Sequence, residues 1–122
     1  TGYYSAGNLN TAYKGTTCYL SANGIQKQIS AVTGNKIDVT KYNSLRIEVS
    51  NYTFVDTGYR NLSLVSSRGG VSSSLADVQI SSTGIFAVDI STIKGSYYIG
   101  LYVNSGTAGN CYIGFTRLFL EL

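Results

Sequence analysis

The chain contains no histidine, tryptophan, methionine or proline. Histidine is the usual general base near neutral pH and the commonest metal ligand, so a Ser-His-Asp or Cys-His nucleophile and a His-bearing zinc site are excluded. Charge is scarce too, at 12% of residues. Nine Lys and Arg outnumber six acids for a net charge of +3, yet they are spread along the chain with no run that would track a phosphate backbone. Nucleic acid is not expected as a partner. No apolar stretch approaches the roughly 18 residues that cross a bilayer, so membrane insertion is not expected either. The six carboxylates, Asp38, Glu48, Asp56, Asp77, Asp89 and Glu121, form no dense Asp-x-Asp-x-Asp loop of the calcium-binding kind. No metal and no other cofactor is read. Thr1 is neither an initiator Met nor the start of a signal sequence, which fits an excised module or a processed chain.

What is present is tyrosine, 11 residues of it beside 4 Phe. Tyrosine joins a flat apolar face to a hydroxyl, a combination suited to polar, weakly amphipathic ligands such as sugars and enriched in recognition surfaces. The neutral hydrogen-bonding residues Ser, Thr, Asn and Gly are abundant, a composition associated with extracellular and virion-surface β-proteins. These residues describe a binding module and not an enzyme. The length of 122 residues and 43% hydrophobic content suit one globular domain over 1–122, with 1–14 read as either a linker or an N-terminal extension. Cys18 and Cys111 either close one long loop as a disulfide, worth about 4 kcal/mol, or are two small buried hydrophobes. Asn51-Tyr52-Thr53 and Asn61-Leu62-Ser63 match the glycosylation acceptor pattern, which acts only in a eukaryotic secretory pathway.

Segments rich in Val, Ile, Tyr, Leu and Thr predict strands at 25–32, 44–52, 60–66, 76–81, 85–90, 96–103 and 111–122, with a weaker one at 16–20. Between them stand Asn23-Gly24, Gly34-Asn35, Thr57-Gly58, Gly69-Gly70, Thr83-Gly84, Lys94-Gly95 and Ser105-Gly106, each able to reverse the chain. Seven to eight short strands at this spacing, with no helical period, predict an all-β fold: an antiparallel β-sandwich, jelly-roll-like.

Alternation assigns faces. Leu45, Ile47 and Val49 point to a core, which leaves Arg46, Glu48, Ser50 and Tyr52 on the opposite face. Tyr97, Ile99, Leu101 and Val103 likewise point inward, leaving Tyr98, Gly100 and Tyr102 outward, with a shallow cleft over the glycine between two rings. In the last strand Ile113 and Phe115 are out of phase with Leu118, Leu120 and Leu122, which calls for a bulge near Thr116 and Arg117.

Two segments echo each other. Ile37-Asp38-Val39-Thr40-Lys41-Tyr42 and Val88-Asp89-Ile90-Ser91-Thr92-Ile93 share apolar-Asp-apolar-Thr/Ser-x-apolar, and each leads into a strong strand. They read as structural corners in which Thr or Ser caps a single helical turn and Tyr42 or Ile93 tucks under the end of the sandwich. Ile-Asp-Val-Thr-Lys-Tyr-Asn-Ser-Leu-Arg-Ile-Glu-Val at 37–49, Val-Asp-Ile-Ser-Thr-Ile-Lys-Gly-Ser-Tyr-Tyr-Ile-Gly-Leu at 88–101 and Arg-Leu-Phe-Leu-Glu-Leu at 117–122 resemble the jelly-roll carbohydrate-binding modules of bacteriophage tail, baseplate and receptor-binding proteins. The resemblance covers roughly 36–122 and rests on framework motifs. It implies host-surface recognition through a cell-surface glycan or cell-wall polysaccharide, with a virion-surface or extracellular location. Related modules also accompany secreted glycoside hydrolases and adhesins. The lack of Trp departs from the aromatic platform of many cellulose-type modules and points away from flat crystalline polysaccharide.

Two surfaces are candidates for the ligand. One is the outward face carrying Arg46, Glu48, Tyr52, Tyr98 and Tyr102, where rings stack on a sugar and charged groups bond its hydroxyls; the competing reading is that these Tyr pack on neighbouring strands. The other is a loop edge with Tyr52, Asp56, Tyr59, Arg60 and Arg68, where Gly58, Gly69 and Gly70 allow close backbone approach. A carboxylate pair for glycoside hydrolysis would draw on the six acids, but Asp38 and Asp89 read as acceptors of turn N–H bonds and Glu48 as a solvated neighbour of Arg46. The alternative to glycan binding is a structural interaction domain, such as a homotrimeric tip or baseplate connector, with Tyr3, Tyr4 and Tyr13 in a linker or trimer contact.

Overall fold

The computed structural model describes residues 18–22, 28–53, 60–68, 73–104 and 111–122. Nine strands run through them: β1 (Cys18–Ala22), β2 (Gln28–Val32), β3 (Ile37–Asp38), β4 (Ser44–Thr53), β5 (Arg60–Val65), β6 (Ser74–Gln79), β7 (Gly84–Asp89), β8 (Ser96–Asn104) and β9 (Cys111–Glu121). No α-helix occurs among the described residues. One sheet has the order β1-β9-β4-β7 and the other β2-β8-β5-β6, with the short β3 pairing β8 beyond the end of β2. All pairs are antiparallel.

The ladders are nested. Cys18 faces Phe115, Gln28 faces Asn104, Ile37 faces Tyr97, Ser44 faces Asp89 and Asn61 faces Gln79, so the chain is one long hairpin folded back over itself. Splitting the rungs of such a hairpin alternately between two sheets gives the jelly-roll order, as expected from the strand count and spacing. The strand at 37–38 was not expected; two residues are too few to carry an alternation signal.

The core lies between the sheets. Leu45, Ile47, Val49, Val88, Ile113, Phe115, Leu118 and Leu120 reach in from the first sheet, and Ile37, Leu62, Leu64, Ile99, Leu101 and Val103 from the second. Alternation therefore reads the faces of β4 and β8 correctly over most of their length. The phase change in β9 comes from Thr116: Val49 pairs with Phe115 and Glu48 with Arg117, so Thr116 is an extra residue that returns Leu118 to the core. A second shift, which alternation does not reveal, leaves Ser50 between Val49 and Asn51. It turns Tyr52 inward, opposite Ile113 and against the core, so Tyr52 does not share the outer face with Arg46 and Glu48.

The echoed corners are related by an approximate two-fold. The Val39 N–H donates to the Gly95 carbonyl, and the Ile90 N–H donates to the Asn43 carbonyl, each bond ending just before the strand that follows the other corner. Both turns close alike, Tyr42 N–H to Val39 O and Ile93 N–H to Ile90 O, and Tyr42 and Ile93 pack beneath the core as expected. The cap, however, is the aspartate. Asp38 Oδ1 accepts the Thr40 N–H at 3.0 Å, and Asp89 Oδ1 accepts the Ser91 N–H at 2.9 Å and its hydroxyl at 2.7 Å. Aspartate wins because its carboxylate reaches the amide two residues on, the Asx-turn geometry. Gly95 enters β8 with φ of 109°, a conformation other residues rarely adopt.

Candidate functional site

Arg46 and Glu48 lie on β4 in the first sheet, whereas Tyr98 and Tyr102 lie on β8 in the second. Since all four point away from the shared core, the two pairs occupy opposite outer surfaces of the sandwich and cannot touch one ligand together. Alternation finds the outward residues of a strand without saying which sheet holds it. Tyr52 is on neither outer surface, for the reason given above.

On the outer face of the first sheet the charges are already paired across strands. Arg46 Nε lies 3.0 Å from Glu121 Oε1, an ion pair whose angle does not make a hydrogen bond. Arg117 donates to Glu48 at 2.9 Å and sits 4.1 Å from the centre of the Phe119 ring. Glu48 is thus the partner of Arg117 and not of Arg46. These pairs frame Phe119, Ala87 and Ile85, the last 61% exposed, and exposed pairs of this kind contribute about 0 to 1 kcal/mol each.

The outer face of the second sheet is different in chemistry. Because directly paired residues of antiparallel strands share a face, the registers line up three rows across it. The first row is Ser30, Tyr102, Asn61 and Gln79; the second is Val32, Gly100, Ser63 and Asp77; the third pairs Tyr98 with Val65. Hydroxyls and amides flank Tyr102 in its row, Asp77 stands on the β6 edge, and Asp38, opposite Ser96, lies on the same face one row beyond Tyr98. The rows surround a small apolar cluster of Val32, Val65 and Tyr102, against which the half-buried Tyr98 packs.

Tyr102 is not the exposed platform that alternation implies. It is 7% exposed, and its ring leans along β8 to lie on Gly100, so the space over the glycine is filled by tyrosine itself and no open cleft separates the two rings. Its hydroxyl donates to the Arg68 carbonyl at 3.0 Å, and Arg68 Nε donates to the Thr33 carbonyl at 3.0 Å. Together these bonds fasten the turn after β5 down onto the sheet. Burial raises the Tyr102 phenol above its ordinary pKa, and the nearby Arg68 charge offsets part of that rise. Tyr98 remains as the partly open ring, with Lys36 Nζ 5.9 Å from its centre. Lys36, on the turn between β2 and β3, carries no sequence signal of its own; the β2–β8 and β3–β8 pairings bring that turn beside Tyr98.

The loop-edge candidate also divides. Arg60 and Tyr52 do meet, the guanidinium 6.0 Å from the ring centre, but on the core side, where Arg60 Nε donates to the Ile80 carbonyl at 3.3 Å. Arg68 belongs instead to the outer face beside Tyr102. Asp56, Gly58, Tyr59, Gly69 and Gly70 lie outside the described residues, as do Tyr3, Tyr4 and Tyr13.

Among the described residues no group of three or more Cys, Asp or Glu converges in a way that could hold a metal ion, and no helix is long and apolar enough to cross a membrane. β1 and β9 are neighbours, as expected for strands bearing the two cysteines, yet the register sets Cys18 opposite Phe115 and Cys111 opposite Ala22. Comparison with protein-family models, with curated proteins and with solved structures finds no match.

Proposed function

We propose that this domain is a carbohydrate-binding module serving host-surface recognition, of the kind carried by phage tail and receptor-binding proteins, and that the outer face of the second sheet is where the glycan sits. The observation that carries this reading is the composition of that face: a half-buried aromatic ring, Tyr98, and, two rows along β8, a line of neutral hydroxyl and amide side chains, Ser30, Asn61 and Gln79. Sugars present apolar C–H faces rimmed by hydroxyls, and a face that offers a ring and a line of uncharged donors and acceptors complements both. The chemistry is adsorption, not turnover. Asp38 and Asp89, the carboxylates placed alike by the two-fold, each have Oδ1 bonded to a turn N–H group. One aromatic contact contributes on the order of 1 kcal/mol, so useful adhesion comes from several copies on one particle.

A glycan array probed with the wild-type domain and with Tyr98→Ala tests the reading. Wild type should mark a defined set of glycans, and the variant should lose them while unfolding at nearly the same temperature. A wild-type domain that marks none would end it.

The second reading is a structural connector whose partner is protein. Ile85, Ala87 and Phe119, exposed or partly exposed between two ion pairs on the first sheet, favour it. Ile85→Lys separates the two, since it should disrupt an assembly built on that face and leave glycan binding intact.

A further inference from the structure

One cationic group, Lys36, stands against the Tyr98 ring. Lys36 is exposed and lies at the outer limit of a cation–π contact, 5.9 Å from the ring centre, so the ring orients the ammonium without neutralising it. Among the described residues no carboxylate reaches Lys36 within ion-pair distance. Arg68, on the turn after β5, is tied down by its Nε bond to the Thr33 carbonyl, and its charge is felt at the Tyr102 hydroxyl. The two carboxylates on the same face are turned to other tasks. Asp38, opposite Ser96, accepts the Thr40 N–H and feels Lys41, and Asp77, opposite Ser63 on the β6 edge, accepts the Ser74 hydroxyl at 3.3 Å. The face thus presents an aromatic ring with one loosely held cation, Lys36, beside it, while Asp38, one row along β8, has Oδ1 turned to the Thr40 N–H and Asp77 stands on the β6 edge.

We infer that the glycan this face takes is an acidic one, a saccharide whose ring stacks on Tyr98 while its carboxylate or phosphodiester meets the Lys36 ammonium. The inference rests on the glycan reading above and narrows it to a ligand class. A neutral sugar would leave Lys36 with water alone, while an anion beside a ring gains stacking and a charge-assisted hydrogen bond from one placement.

The test is affinity electrophoresis of the intact domain through gels containing polygalacturonate, a polyribitol phosphate, dextran or galactomannan, at low and high salt. At least one polyanion should retard the domain more than both neutral polymers, and the retardation should fall as salt rises. The carboxylate and phosphodiester polymers distinguish the two sources of negative charge. Lys36→Gln, on an exposed turn, should weaken retention by about three- to five-fold, and Lys36→Arg should preserve it. Tyr98→Ala should abolish it with no change in charge. Polyanion retention unaltered in Tyr98→Ala would mean attraction to net charge alone and would overturn the inference. Equal, salt-insensitive retention by the neutral polymers would overturn acid selectivity while leaving glycan binding in place. Retention by no polymer would remove both.

Discussion

Gly100 and Tyr102 share one volume: a Cβ built on the glycine would stand 2.5 Å from the tyrosine ring, closer than side chains ever pack. A central strand ordinarily disfavours glycine, which adds no contact and loses more backbone freedom than other residues. Here the ring of the residue two positions on takes the missing side chain's place. Gly100→Ala should therefore push Tyr102 off the sheet and destabilise the domain by about 1 to 3 kcal/mol. Chemical denaturation measures this, and adding Tyr102→Ala should cost less in the Gly100→Ala background than in wild type, since the two effects share a cause.

Tyr102 and Tyr98 should behave as opposites although alternation treats them alike. Tyr102→Ala empties a buried site and should cost about 3 to 5 kcal/mol, whereas Tyr102→Phe loses only the hydroxyl bond to the Arg68 carbonyl, about 1 kcal/mol. Tyr98→Ala should change stability much less. Thermal unfolding of the three variants would reveal a misplaced ring if Tyr102→Ala proved harmless.

Ser63 sits opposite Gly100, is 0% exposed, and has no hydrogen-bond partner for its hydroxyl. An unsatisfied buried polar group costs about 1 to 3 kcal/mol, so Ser63→Ala should leave stability unchanged or raise it. A denaturation midpoint that falls would show that the hydroxyl has a partner in solution.

The cysteines should be free thiols. Cys18 and Cys111 are offset by four positions along the β1–β9 pair, which at ~3.3 Å per residue holds their Cα atoms roughly 13 Å apart, against a limit near ~7 Å for a disulfide. Both should take an alkylating label without prior reduction, read as a two-label mass shift. Protection until a reductant is added would mean the register is wrong.

Asp38 and Asp89 link the corners to acid. Bonds from the Thr40 hydroxyl and N–H to Asp38, and from the Ser91 hydroxyl and N–H to Asp89, hold both carboxyls below their ordinary value. A depressed folded pKa gives stability that is complete above the unfolded value, about 3.9, and lost as pH falls through the folded one. An Asp38→Asn/Asp89→Asn variant should accordingly lose less stability than wild type between neutral pH and pH values below about 4, as followed by urea unfolding at each pH. Equal slopes would mean the turns do not bind the charged form preferentially.

Most of the fold was legible in residues whose signal is local. Leu45, Ile47 and Val49, or Ile99, Leu101 and Val103, alternate because one side of each strand meets a core, and the misfit between Phe115 and Leu118 announced the bulge at Thr116. The candidate site was less legible because it depends on pairing. Nothing in the order of residues says that β4 and β8 belong to different sheets, so Arg46 and Tyr98 looked like neighbours. The shift at Ser50 was hidden too, since Tyr52 is amphipathic enough to suit either face. Lys36 joins Tyr98 only through a turn whose position follows from the ladders on either side of it.

The nesting of the ladders also sets an order in time. Bringing Cys18 to Phe115 from an open chain means closing nearly the whole polypeptide, but once β5 has met β6, and β4 has met β7, each further pair has only a short remaining segment to bring in. Loop-closure entropy thus favours assembly from the β5–β6 hairpin outward, with the β1–β9 pair arriving last. Damage near the middle of the chain would stall every later step, while damage at β1 would be met by a domain already largely assembled.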